Sequence, residues 1–387
     1  MLKILTLNNI PVAGLERFPR DRYEVASEIQ HPDGVVLRSY DLHGWDVPKT
    51  LRAVGRAGVG TDNIPVDDYT RRGIPVFNAP GANANAVKEL VLTGMLLAAR
   101  NVFPAWSFVR GLSGDDTDIS RQVETGKKQF RGTELEGRTL GVVGLGAIGV
   151  KVANAAFGLG MRVIGYDPSI SVTNAWQLSA HTEQALGVDQ VLRESDFVTL
   201  HVPLIEATRN LVNADSLGRI KPGCVLLNFA RHGIVDDQAV CEAIQQGRLG
   251  TYVCDFPNVL LKDHDRVIAL PHLGASTRES EENCAAMVVN EVRDYLEHGH
   301  IRNSVNFPEM TMPRNSGHRI LVVNANVPHM IEGITSAIAA ADINICDLLN
   351  KSRGEVACTL VDIECPPPDS VLQRMRDIAG VLGVYAL

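Results

Sequence analysis

Two residues of this 387-residue chain carry groups suited to oxidising an alcohol, and each stands just past an apolar run. Arg231 follows the run 225–229 (VLLNF), and His272 follows the run 267–270 (VIAL). An imidazole titrates near neutral pH, so His272 can take a hydroxyl proton and return it in the reverse direction. A guanidinium grips a carboxylate through two parallel hydrogen bonds, so Arg231 can hold an acid substrate and polarise the carbonyl that forms. Asp255 ends a third run, 251–255 (TYVCD). Short apolar runs of this kind suit buried parallel strands, and such sheets bind ligands at their carboxyl ends. Three strand ends then present an arginine, an acid and a histidine. Oxidation also needs an acceptor for the hydrogen on carbon.

The stretch 139–168 (TLGVVGLGAIGVKVANAAFGLGMRVIGYDP) can hold that acceptor. It reads as strand, glycine turn, helix, strand. Gly144, Gly146 and Gly149 have the spacing G-x-G-x-x-G. The first permits a sharp turn, the second lets backbone approach a pyrophosphate, and the third lets helix pack on strand. The helix start offers unpaired N–H groups to phosphates. Asp167 ends the following strand, where a carboxylate accepts from ribose hydroxyls. It would repel a 2′-phosphate, and Pro168, Ser169 and Ile170 supply no cation to receive one. The cofactor expected is therefore NAD rather than NADP.

Composition narrows the class. The length suggests two or three domains, and 45% hydrophobic residues suffice for their cores. A net charge of −8 argues against nucleic acid as main partner. No apolar run is long enough to cross a bilayer, and the start, MLKILTLNNI, reads as a first strand rather than a signal peptide. The seven cysteines are scattered without C-x-x-C pairs, which implies reduced thiols and a cytoplasmic location. No zinc-spaced cluster is present, so no metal is expected. The acidic run Asp115, Asp116 and Asp118 reads as a solvated turn in a polar loop over 113–126.

Before the glycine turn, strands are expected at 2–7, 34–38, 51–58 and 74–78, followed by one long helix over 84–100. Arg38 and Ser39 end the second of these strands and make a plausible anion site, although Arg38 could equally be a surface arginine. Gly60 lies in the loop after the third and could present backbone N–H groups. After Asp167 the alternation continues through 197–202, 225–229, 251–255 and 267–270, a doubly wound parallel sheet. A second long helix is expected over 276–298, N-capped by Ser276 with Glu279 three residues on. Residues 303–317 read as a linker. Residues 318–387 read as a separate βαββαβ unit, an antiparallel sheet with helices on one face and edges suited to pairing with another subunit.

The glycine motif GLGAIG, His201-Val202-Pro203-Leu204, the N-x-x-R ending in Arg231 and PHLGAST from Pro271 together resemble the D-isomer-specific 2-hydroxyacid dehydrogenases. The resemblance covers about the first 305 residues. The tail resembles an ACT domain. It implies a split flavodoxin-like substrate domain (1–95 and 278–310), an inserted Rossmann NAD-binding domain (96–277) and a ferredoxin-like ACT regulatory domain (318–387). With that tail it implies NAD-dependent oxidation of 3-phosphoglycerate, a step of serine synthesis, by a homodimer or homotetramer. Catalysis falls to Arg231, His272 and Asp255. Substrate falls to Arg38, Ser39, Gly60, Asn83, Arg231 and His272. Cofactor contacts fall to Gly144, Leu145, Gly146, Ala147, Ile148, Gly149, Asp167 and Pro168, then His201, Val202, Pro203 and Thr208, then Phe229, Ala230, Arg231, Asp255, His272, Gly274 and Ala275. Asn326 and Asn344 match positions of a serine effector site, and Asn324 stands at a further such position where the pattern has histidine.

The chain departs from the family in three places. The family has D-V-F-x-x-E-P, whose glutamate holds the catalytic histidine. Here the chain reads Asp255-Phe256-Pro257-Asn258-Val259-Leu260, and no glutamate lies between Glu242 and Glu279. His272 is then expected to titrate lower, or to borrow Asp255, Asp263 or Asp265. His232 stands where glycine usually follows the arginine, and either crowds the pocket or adds a cation. In the ACT loop pattern H-x-N-x-P-G, the ends are Asn324 and His329. That leaves L-serine binding and a purely dimerising tail both open. Sister dehydrogenases acting on glycerate, glyoxylate or lactate, and an NAD-responsive corepressor-like binding protein, are the alternative functions.

Overall fold

The computed structural model describes residues 1–314 and 317–387. The chain divides into two compact units, Met1–Asn83 with Arg278–Leu387, and Ala84–Thr277.

The first unit holds a five-stranded parallel sheet of β1 (Leu2–Leu7), β2 (Tyr23–Ala26), β3 (Gly34–Leu37), β4 (Ala53–Arg56) and β5 (Val76–Phe77), in the order β2-β1-β3-β4-β5. The edge strand β2 is the member of this sheet that sequence reading missed: YEVA is only four residues long and carries a glutamate. The helix Arg278–His298 lies on this sheet and buries Cys284, Val288, Val292 and Tyr295 against it. Gly55 permits the approach, since a Cβ there would sit 2.7 Å from Val292. The helix begins at Arg278, later than the expected start after Ser276.

The second unit is built on a seven-stranded parallel sheet. Its strands are β6 (Thr139–Val143), β7 (Arg162–Tyr166), β8 (Glu183–Gln184), β9 (Phe197–Leu200), β10 (Cys224–Asn228), β11 (Leu249–Cys254) and β12 (Val267–Ala269), ordered β12-β11-β10-β9-β6-β7-β8. β6, β9 and β10 are buried along their whole length, because helices cover both faces. The helix Ala84–Ala99 belongs here. Val87, Val91 and Met95 join the core of Leu140, Val142 and Val253, so the boundary falls at residue 84 and not at 96. Asn101, at φ 49°, ends that helix, and a further helix, Val102–Arg110, begins. Residues 116–126 are also helical, not a loop: Asp115 caps the helix by accepting from the Asp118 N–H at 2.9 Å.

The tail carries β13 (His318–Ala325), β14 (Ile345–Arg353), β15 (Val356–Ile363) and β16 (Val381–Ala386), antiparallel in the order β14-β15-β13-β16. It is not a separate body. Every residue of β15 is buried, because each face of the sheet is covered. Ile320, Val322, Val361 and Ile363 pack beneath the helices Met330–Ala339 and Asp369–Arg376. Leu321, Val323, Cys358 and Leu360 face the other way and share a core with Ile4, Phe77, Val292 and Tyr295. The expected linker is likewise packed. Asn306 Oδ1 accepts the Val76 N–H at 2.8 Å, and Phe307, Met310 and Met312 are buried. Residues 315 and 316 of that segment lie outside the described residues.

Candidate active site

The residues of the second unit meet at the carboxyl end of its sheet. Gly144 adopts φ +92°, and a Cβ there would lie 2.6 Å from the His201 carbonyl oxygen. At Gly149 a Cβ would fall 1.9 Å from the Gly144 oxygen, so only glycine lets the helix Ala147–Gly158 start this close to β6. Around Gly146 a Cβ would meet nothing within 4 Å. The open space lies beside a helix N-terminus that no side chain caps. Its first-turn donors, on Ala147, Ile148 and Gly149, suit an anionic pyrophosphate. Leu145 is committed elsewhere: its N–H donates to Asp167 Oδ2 at 2.8 Å and its side chain is core. Ser169 N–H donates to Asp167 Oδ1 at 2.8 Å. Both carboxylate oxygens are thus fixed by backbone, and each keeps a lone pair for a ribose hydroxyl.

His201 lies next to this turn. Thr199 Oγ1 pairs with its Nε2 at 3.0 Å, while Nδ1 is buried and unpartnered. Burial pushes its pKa down to about 3, so the ring is neutral. An orphaned ring nitrogen and a cradle without a Cβ both fit a bound dinucleotide. In the loop beyond, Thr208 Oγ1 accepts the Ile205 N–H at 2.9 Å and donates to the Pro203 oxygen, folding residues 203–208 into a tight turn. Val202 reaches the cradle, with Cγ1 3.0 Å from where a Gly144 Cβ would be. The Phe229 side chain is 5% exposed and lies in the core.

Asp255, just past β11, is the centre of the polar groups. It is 1% exposed; Oδ2 accepts the Gly274 N–H at 3.0 Å, and Oδ1 is unpartnered. Burial raises its pKa, while the Gly274 hydrogen bond and the charges of His272 and Arg231 oppose the rise. His272 is tied to the same residue, donating its N–H to the Asp255 oxygen at 3.1 Å. It sits at φ +48° with its side chain exposed, a left-handed backbone uncommon for a residue with a Cβ and often retained at functional sites. Its ring packs on Phe256, centroids 5.2 Å apart. Arg231 Nη1 donates to the Ala230 oxygen at 2.7 Å. Asn228, buried at the end of β10, shapes the turn that carries it: Nδ2 donates to the Arg231 oxygen at 3.0 Å and Oδ1 accepts the Ala230 N–H at 3.1 Å. That gives the N-x-x-R spacing a physical reason.

The missing glutamate has no carboxylate in its place. Leu260, at the position where the family pattern has glutamate, is 52% exposed. Asp263 pairs with Lys262 and is exposed, and Asp265 is exposed too. Asp255 alone of the three expected acids adjoins the His272 turn. His232 Nδ1 lies 3.9 Å from Asp237 Oδ2, which also accepts from Asn258 Nδ2 at 2.6 Å.

In the first unit, Arg38 follows β3 and pairs with Glu281 at 2.7 Å. Its loop is set by two asparagines that sequence reading overlooked. Asn8 Oδ1 accepts the Ser39 N–H at 3.0 Å, and Asn63 Nδ2 donates to the Tyr40 oxygen at 2.7 Å. Arg56, the last residue of β4, was also overlooked. The charges of Arg38 and Arg56 both act on the Cys284 thiol of the helix Arg278–His298, against the burial that raises its pKa. Gly60 lies in the half-buried loop after β4, held by Asn78 Nδ2 donating to the Val59 oxygen at 2.6 Å. Asn83 Oδ1 is buried and unpartnered. The signal for Arg56 was available: an arginine closing an apolar strand, as Arg38 does. In the tail, Asn324 Oδ1 is buried and unpartnered, Asn326 Nδ2 donates to the Gly354 oxygen at 3.0 Å, and the Asn344 N–H donates to Glu364.

Residues 94–274 match the NAD-binding domain of the D-isomer specific 2-hydroxyacid dehydrogenases. The D-3-phosphoglycerate dehydrogenase of Haemophilus influenzae is 32% identical over 352 residues, covering 88% of this chain and 82% of that one. The chain belongs to the D-isomer-specific 2-hydroxyacid dehydrogenase family. The D-3-phosphoglycerate dehydrogenase of Methanocaldococcus jannaschii is 33% identical over 349 residues, but the chain spans only 63% of its length. It spans 57% of the Synechocystis enzyme of the same name. Among solved structures of the family fold, a Thermus thermophilus protein superposes with TM-score 0.65 at 28% identity over 79% of this chain and 100% of its own. An NAD+-bound 3-phosphoglycerate dehydrogenase of Entamoeba histolytica shares the fold with TM-score 0.62 at 24% identity, over 79% of this chain and 98% of its own. No helix among the described residues is long and apolar enough to cross a membrane.

Proposed function

We propose that this protein is an NAD-dependent dehydrogenase that oxidises 3-phospho-D-glycerate to 3-phosphohydroxypyruvate. The observation that carries the reading is the buried Asp255 carboxyl, bonded to Gly274 and lying within the fields of both Arg231 and His272. It ties an anion-binding guanidinium and a proton-accepting imidazole to adjacent strand ends. The names of the full-length relatives support the phosphorylated substrate.

NAD, when bound, takes the hydrogen and electron pair from the substrate carbon. Gly146 and the N–H groups of Ala147, Ile148 and Gly149 would hold its pyrophosphate, and Asp167 its ribose. Arg231 binds the substrate carboxylate and steadies the carbonyl as it forms. His272 accepts the hydroxyl proton, and Asp255 favours the imidazolium that results. From the first unit we assign Arg38 and Arg56 to the substrate phosphate, with Ser39, Gly60 and Asn83 in the substrate loops. We assign residues 318–387 to an ACT-type module, with Asn324, Asn326 and Asn344 as its effector positions, and the protein to a cytoplasmic homo-oligomer.

Steady-state assays with NAD should show 3-phosphoglycerate turned over with a higher kcat/KM than glycerate or lactate. Arg231→Ala and His272→Ala should each abolish that turnover. Equal kcat/KM for the unphosphorylated acids would move the substrate to a sister dehydrogenase class. Absence of turnover with saturable NAD binding would make this a binding protein.

A further inference from the structure

A second polar cavity, of about 340 Å³, opens in the first unit and is lined by Arg17, Asn290, Glu291, Arg293, Asp294, His300 and Arg302. None of these residues figures in the proposed chemistry. Three guanidiniums gather here, and their pairing is incomplete. Arg293 donates to the Arg17 backbone oxygen at 2.8 Å, and among the described residues neither of these two guanidiniums forms an ion pair. Arg302 reaches Asp294 at 3.8 Å, a loose contact that Asp294 shares with His300 at 3.4 Å.

Glu291 is the unusual member. Its side chain is 7% exposed, on the inner face of the helix Arg278–His298. Oε1 accepts from Asn303 Nδ2 at 2.6 Å, while Oε2 is buried without a partner. A carboxyl so desolvated holds its proton. Burial pushes the pKa up to about 8, against the Asn303 hydrogen bond and the Arg302 charge. At neutral pH it is therefore a hydrogen-bond donor, and adds no negative charge to the cavity. An unsatisfied buried polar atom costs about 1–3 kcal/mol unless something meets it.

We propose that this cavity is a binding site for a small multivalent oxyanion, a polycarboxylate or a phosphate compound. Arg17, Arg293 and Arg302 neutralise its charge, and the protonated Glu291 donates to one of its oxygens. Three cations against one ionised acid on the lining leave the site net positive, and guanidiniums match carboxylate and phosphate geometry. The volume lies within the range that small ligands occupy. On the rim, His300 Nε2 lies 3.3 Å from Arg319 Nη1 of the tail sheet and 3.0 Å from the Met312 oxygen.

Isothermal titration of the full chain with citrate, and separately with pyrophosphate, tests the site. Each anion could also bind at Arg38 or Arg231, and pyrophosphate at the glycine cradle, so the same titrations are run with saturating NAD on the Arg38→Ala, Arg231→Ala double variant. Saturable binding should persist in that variant for at least one anion. It should weaken tenfold or more on Arg293→Gln or Arg302→Gln. Glu291→Gln keeps a donor and should retain binding, whereas Glu291→Leu should lose it. The anion that binds identifies the source, carboxylate or phosphate. No heat with either anion, or binding that vanishes in the double variant and ignores Arg293→Gln, would overturn the proposal.

Discussion

Arg319 and Asp362 form a two-pronged ion pair, Nε to Oδ1 at 2.6 Å and Nη2 to Oδ2 at 2.8 Å, with neither side chain exposed to solvent. The remaining Arg319 donors go to the carbonyl oxygens of His298, Met312 and Pro313. One side chain thus joins the tail sheet to the end of the long helix and to the packed segment after it. Removing one partner strands a buried charge. Arg319→Met should cost about 3–5 kcal/mol in urea unfolding, while Arg319→Met with Asp362→Leu should recover most of that loss. Equal losses for single and double variants would show that the stranded Asp362 charge is not the source of the cost.

Arg38 is already occupied. Its Nη1 pairs with Glu281 Oε1, a carboxylate that competes with a phosphate for the guanidinium. Arg38→Ala should raise KM for 3-phosphoglycerate about tenfold to a hundredfold, the loss of a charged hydrogen bond. Glu281→Gln should lower it severalfold, because the competitor is gone. Initial-rate measurements at fixed NAD decide both, and an unchanged KM in the arginine variant removes Arg38 from the phosphate site.

Glu291 makes stability depend on pH. In the folded chain its pKa is about 8, against an ordinary 4.5. The fold therefore holds this proton more tightly than the unfolded chain does. Its contribution is full below about pH 4.5, declines as pH rises towards 8 and is level beyond. Glu291→Gln cannot lose a proton, so it should be more stable than wild type at pH 8.5 by an amount on the order of 3 kcal/mol. Urea midpoints at pH 5, 7 and 8.5 provide the check, and parallel curves for the two proteins would contradict it.

Asp255 offers a second pH test, on rate. Its pKa is raised by burial, and only the ionised form favours the imidazolium of His272. Activity should therefore fall on the acid side at a pH above the usual carboxylate range. Asp255→Asn should lower kcat by about a hundredfold and change the shape of that limb, leaving the part set by the base itself. A kcat–pH profile of unchanged shape in the variant would exclude a role for this carboxyl.

His329 occupies φ +68° at a position where glycine is expected. A left-handed backbone costs a residue with a Cβ about 1–2 kcal/mol. His329→Gly should raise stability by part of that amount. Thermal unfolding measures it, and a lower Tm would mean that the His329–Glu332 contact at 3.0 Å outweighs the strain.

The sheets, the glycine turn and the strand-end positions of Arg231, Asp255 and His272 were legible because each rests on local pattern. Apolar runs mark β6, β9, β10 and β11, and at Gly144 and Gly149 no Cβ would fit. What escaped was decided by distant partners. Residues 303–314 look like a linker, yet Asn306 replaces a missing strand neighbour for Val76. Asn8, Asn63 and Asn228 shape the site only through hydrogen bonds to loops, which no spacing announces. The helix over 116–126 has a polar sequence, and its Asp115 cap was taken for a turn. The tail pattern gave its strands and helices, but not that its second face meets Phe77 and Tyr295.

That shared core sets an order of assembly. Ile4 in the first strand and Leu360 in the tail bury each other's surroundings, while the residues from 84 to 277 form a body of their own. On the ribosome the residues from 84 to 277 can gather as a unit before the tail emerges, whereas the core around Ile4 is completed only when the strands from 318 onward join it.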